Sequence, residues 1–337
     1  MRIDVIIIVN AMTKFYLKEL IEQINSKNIV VITLYKNKLL EDIKFIKNVS
    51  VYEFPYLTLK EQLMQLKRIK KDHISSILEE KKNKEINFYI AQPNHILTNY
   101  IYFNLSKDKR ISVHQIPDGI ANYLKVETKK YFFKMCFKKI CSSMIGLKYK
   151  IYLGDYLGEK FNNFKTYYYI GDSPNLSKEK NKKQIILEKK QLEVRGLNKI
   201  IFLGQGVFPN KSYYKMLEDV FYDLSNKYEK VYYKAHPAEK ETKELQNILK
   251  KYKIFFYKER KNSEFLIDEF KNYAAFVSTS YLTLRLVAGN DVKLISYIDK
   301  RNLKIAFSHF NENNIKKIIE LYEKLNVEIR YLNGVEK

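Results

Sequence analysis

Two short motifs contain side chains that could hold a phosphate and accept a proton. Pro117-Asp118-Gly119 follows one predicted buried strand, and Lys234-Ala235-His236-Pro237 follows another in the second half of the chain. Ligands of open α/β sheets bind beyond the carboxyl ends of the strands. The sequence therefore predicts a carboxylate base from the first motif and a phosphate-holding imidazole from the second, facing each other across a cleft.

Each motif also has a plainer interpretation. Strand alternation places Lys234 and His236 on the same face, where an ammonium and an imidazole could bind one phosphate. The alternative is a histidine that only ends a strand. For Asp118 the alternative is ordinary turn chemistry, because Pro, Asp and Gly are common turn residues.

Two further polar segments follow predicted strands of the second half. The hydroxyls of Ser278-Thr279-Ser280 precede a predicted helix, whose N-terminus favours anions, although one of them could serve only as its N-cap. Gly204-Gln205-Gly206 is a glycine turn that lets a ligand approach the backbone. Pro209 stands where a dinucleotide fingerprint needs its third glycine, so no dinucleotide cofactor is predicted.

Strand-like and helix-like segments alternate, which is typical of α/β proteins with parallel sheets. The predicted strands are Asp4–Val9, Ile29–Leu34, Val49–Phe54, Ile86–Ala91, Ile111–Ile116, Lys199–Leu203, Lys230–Lys234, Lys253–Tyr257, Ala274–Ser278 and Val292–Ile298. The predicted helices include Thr13–Asn25, Leu57–Lys81, Tyr213–Lys227, Ser263–Tyr273, Ser280–Gly289 and Asn311–Leu325. A polar stretch from Gly171 separates the halves, so we predict an N-terminal domain over 1–175, a linker over 176–196 and a C-terminal domain over 197–337.

The formal net charge of +23 predicts an anionic partner: nucleic acid, an anionic membrane or a phosphorylated substrate. Residues 122–150 carry eight lysines and one glutamate, with Phe133, Phe137, Ile140 and Met144 at helical spacing. Such a helix can lie on an anionic membrane surface. Alternatively, it packs this apolar stripe against its own domain and leaves its lysines in solvent.

In this order, the motifs resemble those of the bacterial sialyltransferases with a GT-B fold, namely glycosyltransferase family 52 and its polysialyltransferase relatives. Those proteins carry an acidic-acidic-Gly motif, a Lys-x-His-Pro motif and a downstream Ser/Thr pair. The corresponding segments here are Asp118-Gly119, Lys234 to Pro237, and Ser278 to Ser280. Pro117 stands in place of the first acid, which removes a neighbour that could tune the base.

The resemblance implies a GT-B fold of two Rossmann-like domains and an inverting transfer of sialic acid from CMP to a galactoside of a surface polysaccharide or lipooligosaccharide. It implies neither a cofactor nor a metal. Asp118 would be the general base, and His236 with Lys234 would hold the phosphate of CMP-sialic acid. Donor binding would also involve Gly204, Gln205, Ser278, Thr279, Ser280 and Glu264. Glu264, implied to hold the ribose hydroxyls, could instead only complement a helix dipole.

Two other function classes stay open. The Lys-x-His-Pro and serine elements also resemble those of glycerophosphotransferases that use CDP-glycerol in cell-wall polymer synthesis. A non-enzymatic RNA-binding or anionic-lipid-binding protein fits the charge, but no RNA-binding signature is present, so no nucleic acid is expected. No apolar run reaches the ~18 residues of a membrane span. We therefore expect a cytoplasmic protein, at the inner face of the membrane if residues 122–150 bind lipid.

Overall fold

The computed structural model describes most of the chain and divides it into two compact units, residues 1–187 and 188–337. The described residues are 2–9, 12–34, 41–44, 46–56, 58–80, 84–118, 131–154, 164–171, 181–188, 198–205, 210–236, 239, 241–259, 263–278, 280–299 and 312–332.

Within these residues, the first unit has a seven-stranded parallel sheet of order β3-β2-β1-β4-β5-β6-β7. Its strands are β1 (Arg2–Ile8), β2 (Ile29–Thr33), β3 (Val49–Glu53), β4 (Glu85–Ile90), β5 (Ile111–Gln115), β6 (Phe164–Ile170) and β7 (Lys182–Ile185). Its helices are α1 (Leu17–Ile24), α2 (Glu41–Lys44), α3 (Leu59–Arg68), α4 (Ser76–Glu80), α5 (Ile96–Phe103) and α6 (Phe132–Met144). A π-helical turn, Ile69–Ser75, joins α3 to α4.

In the described part of the second unit, six parallel strands follow the order β10-β9-β8-β11-β12-β13. They are β8 (Lys199–Leu203), β9 (Lys230–Lys234), β10 (Phe255–Phe256), β11 (Asn272–Ala275), β12 (Lys293–Ile298) and β13 (Glu328–Tyr331). The helices are α7 (Lys211–Lys227), α8 (Lys243–Lys251), α9 (Ser280–Ala288) and α10 (Glu312–Lys324). Each unit has its own apolar core around its sheet.

The predicted strands of the first half are confirmed to within about two residues at each end, the usual uncertainty of such boundaries. In the second half, the predicted helix Ser263–Tyr273 is wrong. A 3-10 helix covers only Ser263–Leu266, and Asn272 already belongs to β11, whose four residues are all buried. Asn272 and Tyr273, predicted as the end of this helix, are therefore the start of a central strand.

The division between the units falls at Leu187 and Glu188, inside the range 176–196 that the sequence analysis assigns to a linker. The same range contains β7, which pairs with β6 and forms the edge of the first sheet. The first unit thus extends about ten residues beyond position 175. Its last strand, Lys-Lys-Gln-Ile, is polar and gives only a weak strand pattern, so the sequence does not reveal it.

A buried polar cluster links three neighbouring strands of the first sheet. The carboxylate of Asp4, fully buried, accepts hydrogen bonds from Asn87 Nδ2 (3.0 Å) and from the Tyr89 hydroxyl (2.9 Å). Arg2 Nε lies 2.8 Å from the same carboxylate. His114 stacks on Tyr89 at 4.7 Å and approaches Asn87, and burial lowers its pKa to about 4.

We expect Asp4→Ala to lower the free energy of unfolding by about 3 kcal/mol, because two buried donors lose their acceptor. Urea unfolding followed by circular dichroism measures the change. Asp72→Ala, at an exposed ion pair with Arg68, is the control and should change stability by less than about 1 kcal/mol. Equal effects of the two substitutions would contradict the prediction.

Among the described residues, no helix combines the length and the apolar character that a membrane span requires.

Candidate functional site

Three adjacent strands of the second sheet, β9, β8 and β11, carry the predicted donor-binding segments at their carboxyl ends. Gly204 and Gln205 follow β8, His236 follows β9, and Ser278 follows β11. The strand order reverses between β8 and β11, and the crevice at such a reversal is where open α/β sheets bind ligands. The structure therefore brings these segments, far apart in sequence, to one edge of the second sheet.

Lys234 is the last residue of β9, and its Nζ donates to the Glu259 carbonyl at 3.3 Å and lies 5.9 Å from the centre of the Tyr257 ring. His236, two residues later, is exposed. Partial desolvation, together with the charge of Lys234, lowers the pKa of His236 below its usual 6.5. The imidazole is therefore mainly neutral at pH 7 and can donate one N–H to a ligand.

Glu239, which the sequence analysis did not single out, fixes the segment that carries His236. Its Oε2 accepts the His236 backbone N–H at 3.0 Å, and its own N–H donates to the His236 carbonyl at 2.8 Å. Its Oε1 accepts the hydroxyls of Tyr213 (3.2 Å) and Tyr233. Burial raises the pKa of the Glu239 carboxyl, while these hydrogen bonds oppose the rise. The sequence offers one clue to Glu239, its spacing, since it is the first acidic residue after His236.

Gly204 is the residue that leaves room for this carboxylate. A Cβ at Gly204 would lie 2.6 Å from the Tyr233 hydroxyl and closer still to Glu239 Oε2. The Gly204 N–H donates to the Lys234 carbonyl at 2.8 Å, which joins the ends of β8 and β9. The sequence analysis predicts that this glycine lets a ligand approach the backbone. In the structure, the missing side chain makes room for the Glu239 carboxylate.

We expect Gly204→Ala to lower the free energy of unfolding by about 2 kcal/mol, because the new methyl group displaces the Glu239 carboxylate. In a Glu239→Ala background the same substitution should cost at least about 1 kcal/mol less, since part of the obstacle is gone. A double-mutant cycle by urea unfolding measures the coupling. Glu244→Ala, on the exposed face of α8, is the control background and should leave the cost of Gly204→Ala unchanged. Equal costs in all three backgrounds would show that the methyl group does not meet Glu239.

The serine hydroxyls form a hydrogen-bonded turn at the start of α9. Ser278 Oγ accepts the Ser280 N–H at 3.2 Å, so Ser278 has the capping contact. Ser280 Oγ lies 2.8 Å from Ser263 Oγ, and Tyr322 contacts both the N–H (2.7 Å) and the carbonyl of Ser278. The turn is therefore fixed in place, and the N-terminal end of α9 lies at the same sheet edge as His236.

Gln205 follows Gly204 at the carboxyl end of β8. Its side chain is buried and its Nε2 donates to the Leu203 carbonyl at 3.1 Å, back along β8. The backbone of Glu264 lies in the 3-10 helix next to Ser263, but its side chain lies outside the described residues. Gly119, Gly206, Pro237 and Thr279 also lie outside them.

In the first unit, Asp118 follows β5 by three residues and so lies beyond the carboxyl end of that strand. The Tyr16 hydroxyl donates to the Pro117 carbonyl at 2.5 Å and holds the turn from the segment after β1. Burial raises the pKa of Tyr16 well above its usual value, and the Asp118 charge adds to this. Asp118 is partly exposed, and a buried, uncharged phenol holds the backbone just before it.

The neighbouring segment after β4 contains two more polar side chains. His95 caps α5 by accepting the Leu97 N–H, and burial lowers its pKa to about 3. It is therefore a neutral capping residue. Within the described part of the chain, the buried Gln92 Oε1 lacks a hydrogen-bond partner.

Across the described ranges, no three His, Cys, Asp or Glu side chains come together in a way that could hold a metal ion.

No protein-family model matches the sequence, and no curated protein matches it. Solved structures do match. A candidate UDP-N-acetylglucosamine 2-epimerase of Listeria monocytogenes is 9% identical, with a TM-score of 0.52 over 97% of this chain and 88% of that one. UGT2 of Phytolacca americana, complexed with UDP-2-fluoro-glucose and pterostilbene, is 10% identical, with a TM-score of 0.51 over 100% of this chain and 87% of that one. The predicted GT-B fold is confirmed.

Proposed function

We propose that the protein is a glycosyltransferase that moves sialic acid from CMP-sialic acid to a galactoside-type acceptor, with inversion and without a metal. The observation that carries the proposal is the convergence of His236, Gly204 and the Ser278 turn at the reversal of strand order in the second sheet. The GT-B fold and the resemblance of the motifs support the same class of reaction.

The second unit would hold the donor through its phosphate. His236 and Lys234 end one strand, and the N-terminal end of α9 follows another two positions away in the sheet. A neutral imidazole N–H, an ammonium and a helix N-terminus all favour a phosphate oxygen. Departure of CMP places negative charge on this phosphate, so groups already directed at it stabilise the transition state.

The first unit would supply the base. Asp118 is a partly exposed carboxylate beyond the carboxyl end of β5, and Tyr16 fixes its backbone. We propose that it accepts the proton of the acceptor hydroxyl as that oxygen attacks the anomeric carbon of the sialic acid. The bond from that carbon to the phosphate oxygen breaks, and CMP leaves with the electron pair.

The experiment is release of CMP from CMP-sialic acid by the purified chain, with lactose as acceptor and EDTA present. Acceptor-dependent release supports the proposal, and loss of release in EDTA refutes its metal-independent form. No release from CMP-sialic acid, together with release of CMP from CDP-glycerol, would instead identify a glycerophosphotransferase. Release from neither donor, with salt-sensitive binding of RNA or lipid, would favour the non-enzymatic class.

We expect the affinity for CMP to increase as the pH is lowered from about pH 8 to about pH 5.5. The pKa of His236 is low in the free protein, and a bound phosphate raises it, so binding is tightest where the imidazole is protonated and weakens as the pH rises through the bound-state pKa. The affinity for CMP changes about tenfold for each pH unit that separates the pKa of His236 in the free protein from its pKa in the complex. Calorimetric titration at several pH values measures it.

The phosphate of CMP itself titrates near pH 6, so His236→Gln is the necessary comparison. The variant should retain only the pH dependence of the ligand. Identical pH profiles for the two proteins would exclude a contact between His236 and the phosphate.

A further inference from the structure

Helix α6 exposes the apolar side chains that the sequence pattern places on one stripe. Phe133 is 88% exposed, Met144 75%, Ile140 63% and Phe137 52%. We call these four residues the α6 stripe. The interpretation that they pack against their own domain is therefore wrong, because another face of the helix makes that contact.

A different part of the surface of α6 packs inward. Met135 and Ser142, on the side opposite the stripe, are buried, and so is Cys141, about a fifth of a turn from the middle of the stripe. Met135 and Cys141 belong to the core of the first unit. Lys138, also turned away from the stripe, donates from Nζ to the Asn94 carbonyl (2.7 Å) and to Asn94 Oδ1 (3.0 Å). At about 100° per residue, Ser142 lies about half a turn from the middle of the stripe. The helix is thus firmly anchored, and its outward face is apolar.

The charges beside the stripe have one sign. Lys134 and Lys139 are exposed and lie on either flank of it, about a quarter to a third of a turn away. Lys148 and Lys150, just after the helix, are exposed as well. Residues 131–154 contain five lysines and no acidic residue. An apolar ridge between basic flanks is complementary to a surface that is negatively charged outside and apolar beneath.

We propose that α6 binds the surface of an anionic lipid bilayer, with the α6 stripe inserted among the headgroups and its lysines beside lipid phosphates. The inference rests on exposure and charge alone and is independent of the proposed donor. A second copy of the chain fits less well, since a single stripe falls short of the roughly 20 residues a side of a stable interface. Two such surfaces of the same sign would also repel each other.

The test is flotation of the full chain with vesicles of phosphatidylcholine alone or with about 30% phosphatidylglycerol. We expect the wild type to float with the anionic vesicles only. Phe133→Gln combined with Phe137→Gln should reduce the bound-to-free ratio at least tenfold. The matched control, Met64→Gln with Ile186→Gln, removes two equally exposed apolar side chains elsewhere in the first unit and should bind like the wild type.

A second pair of variants tests the contribution of the lysine charges to membrane binding. Lys134→Glu with Lys139→Glu should reduce flotation at least tenfold at low salt, whereas Lys67→Glu with Lys71→Glu, the same charge change on the π-helical side of α3, should have a much smaller effect. All four substituted side chains are exposed, so folding is unaffected.

Three outcomes would overturn the proposal. The first is a wild type that does not distinguish anionic from neutral vesicles. The second is a Phe133/Phe137 variant that floats like the wild type. The third is a wild-type dimer in light scattering that the same variant converts to a monomer, which would assign the stripe to a second copy of the chain.

Discussion

Replacing His236 by Ala is expected to reduce kcat for CMP release by about 10²–10³-fold, the effect of removing one preorganised donor from a developing negative charge. The imidazole follows β9 directly, and two hydrogen bonds with Glu239 fix its backbone. The backbone that carries the imidazole is therefore held in position before the donor binds, and loss of the imidazole should affect the transition state more than the ground state. Initial rates at several donor concentrations separate kcat from KM.

Glu229→Ala is the matched control, since Glu229 is exposed and stands at the opposite end of the same strand. It should keep wild-type kinetics. Equal CMP release by the wild type and the His236→Ala variant would remove His236 from the site. A rise in KM with an unchanged kcat would reduce its role to ground-state binding.

The second large effect is expected at Asp118. Asp118→Asn should lower kcat for transfer by about 10²–10⁴-fold, because the amide cannot accept the proton of the acceptor hydroxyl. The substitution preserves the size of the side chain, and Tyr16 holds the turn through the Pro117 carbonyl. The dissociation constant for CMP, which we assign to the second unit, should stay within about twofold of the wild-type value.

Asp108→Asn provides the comparison at the other end of β5. Asp108 pairs with Arg110 and its pKa is lowered to about 2, so it carries a charge, but it lies at the other end of the strand from Asp118. This variant should retain activity. Similar losses in both variants would indicate a general effect of charge or stability, and unimpaired transfer by Asp118→Asn would exclude Asp118 as the base.

Most central strands are predicted well from the sequence, because they are buried on both faces and give continuous apolar runs, as in β1 and β8. The interior strand β6 is missed although its sequence is apolar and aromatic. The edge strands β7 and β13 are also missed, since their sequences, Lys-Lys-Gln-Ile and Glu-Ile-Arg-Tyr, carry little apolar pattern. The strands also fixed the placement of the site segments, because carboxyl ends of parallel strands share one sheet edge.

The sequence does not predict contacts between residues that are far apart in the chain. Glu239 depends on tyrosines of α7 and β9 and on the missing side chain of Gly204, and none of these partners shows a pattern by itself. Periodicity grouped the α6 stripe correctly but could not tell which face of the helix packs inward. That choice depends on Met135 and Cys141, which fit the core of the first unit.

The anchor of α6 has a kinetic consequence. Lys138 and the Tyr149 hydroxyl both reach Asn94, in the segment after β4 and beside the strand that carries Asp118. A helix that rests on a bilayer through its outer face would hold this sheet edge at a constant height above the lipid. Encounters with an acceptor carried in the same membrane would then be a two-dimensional search, and rates would follow the number of acceptors per unit area rather than their bulk concentration.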